Sequence, residues 1–228
     1  MTAPVPATSR GLFITVEGPE GAGKTTHARR LYETFRPEMR LVLTREPGGT
    51  PVGEAVRTLL LDERYRGMQR ETEMLLFAAS RAQFVAEIVL PNLEAGVSVL
   101  SERFVDASLA YQGYGRGLPV EMVRRVNEIA TRGVRPDLTL LLDIDPIAGL
   151  ARARNAGGKD APAGRGDRLE QEDLAFHERV RAGFLELARE EASRFVVIDA
   201  SRPRDDVHAM LAAAVRRLVE DRRRSAAG

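Results

Sequence analysis

The chain has 228 residues, 34 basic against 33 acidic side chains, 43% hydrophobic residues and no cysteine. Near-balanced charge excludes the strongly basic footprint of a dedicated nucleic-acid binder, and the missing thiols exclude disulfide scaffolds, thiolate metal sites and cysteine nucleophiles. All the basic residues but Lys24 and Lys159 are arginines, so a lysine that survives at a special position carries information.

Residues 1–10 are small, polar and proline-containing and predict a loose lead-in without the apolar core of a signal peptide. No uncharged apolar run approaches the ~18 residues of a membrane span, so the expectation is a cytoplasmic protein that binds neither membrane nor nucleic acid. Apolar, β-rich runs at 12–16, 41–44, 97–100, 138–144 and 195–198 predict five buried strands. Helical spacing over 25–35, 52–61, 71–90, 119–132, 146–154, 170–192 and 204–222 fills the intervals. Continuous apolar strands alternating with helices imply an α/β fold, a five-stranded parallel sheet with helices on both faces. One domain over 11–222 is expected, followed by a tail at 223–228. Ligands of such sheets bind beyond the carboxyl ends of the strands.

The first strand runs into Gly18-Pro19-Glu20-Gly21-Ala22-Gly23-Lys24-Thr25, with Thr26 next. This is G-x-x-x-x-G-K-[ST] between a strand and a helix. Its glycines let successive N–H groups point inward and the following helix adds its positive end, so the loop cradles a polyphosphate. Lys24 reaches the β- and γ-phosphates and the Thr25 hydroxyl ligates Mg²⁺, which makes ATP or another nucleoside triphosphate the expected ligand.

Further along, positions 74, 77, 81, 85 and 88 share one helical face and read Met, Phe, Arg, Val and Ile. An arginine inside an apolar stripe either snorkels to water or meets an acceptor in a cleft. With Phe77 one turn before Arg81, a flat ring and a planar donor array could face a nucleobase together. The third strand delivers Glu102 and Arg103 to the sheet edge, a carboxylate suited to Mg²⁺ through water and a guanidinium suited to a phosphate. Asp143, after the fourth strand, competes with Glu102 for the metal and ranks below it. Asn155 to Gly166 is rich in Gly, Ala and Pro, a composition that suits a mobile lid within about 146–170.

Thr44-Arg45-Glu46-Pro47-Gly48-Gly49-Thr50, Phe77-Ala78-Ala79-Ser80-Arg81, Glu102-Arg103-Phe104 and Ala110-Tyr111-Gln112-Gly113 follow the phosphate loop in that order. Over roughly residues 11–220 the chain resembles bacterial thymidylate kinase. The resemblance implies the P-loop nucleoside monophosphate kinase fold, a homodimer, and Mg²⁺-dependent phosphorylation of dTMP by ATP. It implies that Phe77 stacks on thymine, that Arg81 donates to a base oxygen, and that Ser108 and Gln112 also meet the base. Arg103 would hold the acceptor phosphate, Tyr111 pack on the deoxyribose and Glu20 lie near its 3′-hydroxyl. Glu46-Pro47 matches a turn that often carries a cis peptide in the family, and Asp199-Ala200-Ser201 would border adenine. Gly21 stands where one subgroup has an arginine, so this looks like the subgroup whose lid supplies it, from Arg152, Arg154, Arg165 or the Asp167-Arg168-Leu169-Glu170 run. Two departures stand out: Glu102 and Phe104 replace the usual aspartate and polar ring, and the lid is longer and richer in glycine.

The expected chemistry is in-line transfer of the γ-phosphoryl group to an ionised phosphate, which needs positioning and charge neutralisation but no general base. Two rivals remain at this level: a deoxynucleoside kinase using a carboxylate base on a 5′-hydroxyl, and a P-loop switch whose output is a conformation.

Overall fold

The computed structural model describes residues 10–155 and 167–227. The lead-in before Arg10, and 156–166 of the expected lid with Arg165 among them, lie outside the described residues. Five strands, β1 (Phe13–Glu17), β2 (Leu41–Arg45), β3 (Ser98–Glu102), β4 (Leu138–Asp143) and β5 (Phe195–Asp199), pair in parallel in the order β2-β3-β1-β4-β5. The chain winds from β1 toward β2 and β3 first and toward β4 and β5 later. The crevice of such a reversal opens at the carboxyl end of β1, where the glycine loop enters helix α1 (Lys24–Phe35).

Period-two alternation assigns the faces. Ile14, Val16, Leu140 and Leu142 pack on Leu31 and Phe35 of α1 and on Leu211 and Val215 of α9 (Arg204–Ala227). On the other face Phe13 and Val99 meet Phe84, Val85 and Val89, while Leu141 and Phe195 meet Val180 and Phe184 of α8 (Leu174–Glu190). Each such buried side chain contributes about 1.5–3 kcal/mol. Helix α2 (Pro51–Leu61) starts with proline, and Thr50 caps it by accepting from Gly53 N at 2.9 Å.

Helix α3 (Arg70–Phe84) passes through a π turn, Val85–Val89, into α4 (Leu90–Glu94). The stretch Arg70–Glu94 has 25 residues and a window of mean hydropathy 1.4, long and apolar enough to cross a membrane by length and composition, although Arg81 and Glu87 interrupt it and no uncharged run of that length exists. Here it is a core helix, with Phe77, Phe84, Val85 and Val89 buried and with its Glu73 and Arg81 buried in ion pairs. Two helices complete the described frame, α6 (Val120–Thr131) and α7 (Pro146–Asn155).

A helix after β3 is absent from the sequence-based expectation. Helix α5 (Val105–Ser108) continues as a π-helical segment, Leu109–Gly115. Gln112, Gly113 and Gly115 break its apolar period, and its order comes from packing against α8. Helix α8 begins at Leu174 instead of 170, because Asp173 accepts from Phe176 N at 2.7 Å and caps it there. Helix α9 continues through Ala227 where a tail was expected from 223, with Arg224 paired to Asp221 at 2.6 Å.

Candidate active site

Gly23, with φ of 90°, caps α1, and His27 N donates to its carbonyl at 3.0 Å, so the loop ends at the helix start. Lys24 is 6% exposed and its Nζ donates to the Pro19 carbonyl at 2.7 Å. Burial and then Arg103 push the ammonium pKa down, against the opposing pull of Glu20, Glu102 and Glu17. The register Val16 to Glu102 sets β3's last residue beside the loop, and Thr25 Oγ1 donates to the two Glu102 oxygens at 3.0 and 2.8 Å. A hydroxyl and a carboxylate together make the hard-oxygen donor pair that suits Mg²⁺. Asp143 is instead forked by Arg181 at 2.7 and 2.9 Å, which ties up both of its oxygens.

Arg103 follows β3 with φ of 68°, a conformation costly for a side-chain-bearing residue. Three bonds hold it: Arg103 N donates to Val16 O at 3.0 Å, Ser101 Oγ to Arg103 O at 2.9 Å, and Phe104 N to the Glu17 carboxylate at 2.7 Å. The turn aims the guanidinium back over the loop, 4.9 Å above the Tyr111 ring and 2.8 Å from Glu20 Oε1. Tyr111 Oη donates to the same oxygen at 2.6 Å. Burial would raise the Glu20 pKa, but Arg103, Lys24 and the Tyr111 bond outweigh it and hold the group at about 2.

Arg81 does not snorkel. It is 2% exposed and donates to Glu46 at 2.7 Å, Ser108 Oγ at 2.8 Å, Phe104 O at 3.0 Å and Asn127 Oδ1. Four of its five N–H groups are thereby committed, which leaves at most one for a base where a full donor array was expected. Asn127, on α6, carries no sequence signal that would have paired it with Arg81. The Glu46-Pro47 peptide is cis, as the resemblance implies.

These parts surround a cavity of about 1400 Å³. The loop from Glu20 to Thr26 lines it together with Phe77, Ser108, Tyr111 and Gln112 and with Glu46, Pro47, Arg81, Glu102 and Arg103, and Tyr111 and Arg103 meet the loop at Glu20. Of the expected loop residues, Gly18 and Pro19 shape the turn without lining the cavity. Ala200 lies on the wall, joined by His27, Arg202 and Arg204, which the sequence reading passed over.

The expected lid arginines separate. Arg168 is 3% exposed, bonded to Leu60 O at 2.8 Å and to Glu73 at 2.6 Å; it is a buried tether, contrary to its expected place among candidates for the phosphates. Arg152 donates to Ala200 O at 2.7 Å and so braces the turn after β5. Arg154 lines the cavity and has no hydrogen-bond partner among the described residues. Arg57 of α2 also lines the cavity, held to Pro47 O at 3.0 Å; one arginine among many on an amphipathic helix gave no signal of this. Asp167 and Glu170 complete the lining; burial and then Glu20 raise the Asp167 pKa, while burial, then Asp167 and Glu20, raise that of Glu170 to about 7.

The family model for thymidylate kinase matches residues 16–211. The thymidylate kinase of Deinococcus radiodurans is 52% identical over 208 residues, 91% of this chain and 97% of the relative. That of Halothermothrix orenii is 49% identical over 200 residues, 87% and 93% of the two chains. The crystal structure of thymidylate kinase from Ehrlichia chaffeensis superposes with a TM-score of 0.72 at 31% identity, covering 91% of this chain and 99% of the other. A glycine loop and a phenylalanine ring lining one cavity, together with a family match over most of the length, mean that the chain belongs to the thymidylate kinase family.

Proposed function

We propose that this chain transfers the γ-phosphoryl group of ATP to dTMP, giving dTDP and ADP, with Lys24, Arg103 and a lid arginine neutralising the group in flight. The carrying observation is that the phosphate loop, Arg103 and the aromatic side chains Phe77 and Tyr111 line one cavity. A phosphate monoester has its second pKa near ~6 and arrives ionised. One of its oxygens forms the bond to the γ-phosphorus as the bond from that phosphorus to the β,γ-bridging oxygen breaks, and no proton must be removed first. The protein's part is positioning and electrostatics.

Lys24 exchanges the Pro19 carbonyl for β- and γ-phosphate oxygens. Arg103 turns its second amino group to the dTMP phosphate while Glu20 and Tyr111 keep the fork oriented. Phe77 stacks on thymine, with Arg81, Ser108 and Gln112 at its polar edge. Thr25 and Glu102 are the residues that would hold Mg²⁺, which would offset the charge of the triphosphate. Arg154 is the candidate lid cation among the described residues; Arg165 stays a second one outside them. A loop arginine is ruled out sterically, since a Cβ on Gly21 would stand 1.8 Å from the Gly149 carbonyl oxygen.

The deoxynucleoside-kinase and switch readings are set aside by the family assignment. A homodimer remains part of the proposal, supported by apolar side chains exposed on adjoining helices, Leu75 of α3 at 55% and Ile129 of α6 at 82%. The single-domain layout and cytoplasmic location stay with it. The test is a coupled ADP-release assay with ATP against dTMP, dUMP, UMP, CMP, AMP and GMP. The expected result is a clear preference for dTMP; preference for any other acceptor overturns the reading.

A further inference from the structure

Gln112 lines the cavity but is tied to a residue outside it. Gln112 is 1% exposed on the π-helical segment, lines the cavity, and donates from Nε2 to Glu73 Oε1 at 2.9 Å. Glu73, one helical turn before Phe77, is fully buried. Its carboxylate also accepts from Arg116 Nε and Nη2 at 3.1 and 3.0 Å and from Arg168 Nη1 at 2.6 Å. Burial would raise its pKa, but the Arg116 hydrogen bonds and charge, then Gln112 and Arg168, bring it below the usual carboxylate value.

An ionised carboxylate accepts and cannot donate. The Gln112 amide is therefore fixed with nitrogen toward Glu73, because the flipped amide would set oxygen against oxygen. Its carbonyl oxygen, the only side-chain acceptor, is left for the cavity. Thymine carries an N–H at ring position 3; cytosine carries a lone pair there and an amino group next to it. The locked amide suits the first pattern and the flipped one suits the second.

We infer that Glu73 is a positioning residue that sets base specificity, by holding the Gln112 amide in the one orientation that accepts from a ring N–H. This rests on the reading of the aromatic lining of the cavity as the site of the base. Arg116 and Arg168 hold Glu73 in turn, so the lock is built from α3, the π-helical segment with the residue after it, and the far end of the expected lid.

Glu73→Gln tests it, since an amide at 73 can donate as well as accept and frees Gln112 to flip. In the full-length enzyme kcat/KM is measured for dTMP and for dCMP, with ATP saturating, along with KM for ATP and Tm. The dTMP:dCMP ratio should fall by about tenfold or more, through a raised KM for dTMP and a gain on dCMP, with KM for ATP unchanged. A variant that folds and keeps the wild-type ratio overturns the inference. If Glu73→Gln does not fold, Glu73→Asp decides: it keeps the charge for both arginines but draws the carboxylate one methylene back from Gln112. The ratio should fall in the same direction, and an unchanged ratio again overturns the idea. Wild-type enzyme with no preference for dTMP over dCMP would instead refute the base-site reading beneath it.

Discussion

Lys24 owes its place to shape as much as to charge. Its ammonium is buried against the Pro19 carbonyl, a compact point donor with three rotatable N–H groups where a guanidinium would be a rigid planar fork. In a chain where almost every cation is arginine, that explains why lysine remains here. Lys24→Ala should lower kcat by on the order of 10²–10³ or more, in the range of a lost preorganised donor, and Lys24→Arg should not restore it in the coupled assay; near-normal turnover in either would sink the assignment. Glu17 acts differently. One oxygen receives Phe104 N and the other has no partner. Burial, then Asp106, lift its pKa from 4.5 to about 8 against Arg103 and Arg81. The folded chain thus holds a proton the unfolded chain has lost between these values, so stability falls as pH rises through that window. Glu17→Gln, isosteric with the protonated acid, should flatten the decline of Tm between pH 5 and 8 and leave the variant several degrees more stable at pH 8, at about 2–4 °C per kcal/mol. Identical slopes for the two proteins would refute this.

The elements bring the parts together by contacts that leave no room. Gly149, inside α7, faces the phosphate loop: a Cβ there would lie 2.3 Å from the Glu20 carbonyl oxygen, as one on Gly21 would meet Gly149. The helix that leads to the lid is thereby seated directly on the loop. Gly149→Ala should push the two apart, costing about 1–3 kcal/mol of stability as overpacking and lowering kcat more than it changes KM for dTMP; calorimetry with steady-state kinetics reads both. A variant with wild-type Tm and kcat would show the seat to be unimportant. The strained turn at Arg103 is a second such device, because a β-strand continuing straight from Glu102 would carry the guanidinium away from the loop.

At the scale of the whole molecule the exposed apolar side chains on α3 and α6 concern assembly. If two copies of this 25.1 kDa chain pair there, Leu75→Arg should shift sedimentation equilibrium from dimer toward monomer while leaving Tm at low concentration nearly unchanged; a wild-type monomer at micromolar concentration would remove that part of the proposal. The five parallel strands, the phosphate loop and the succession of family motifs were legible in the sequence because each depends on local spacing: continuous apolar runs and period-3.6 burial, glycines at fixed offsets, one lysine among arginines. Glu20, Lys24, Phe77 and Arg103 were singled out from the chain alone and meet around one cavity. What the chain alone left open were partnerships across long separations. Arg81 ends among Glu46, Ser108 and Asn127, Asp143 is taken by Arg181, and Arg168 is buried on Glu73 instead of reaching for phosphate. A buried charge must find compensation wherever the fold offers it, and arginines of equal propensity are told apart only by which carboxylate the tertiary structure brings within 3 Å of each.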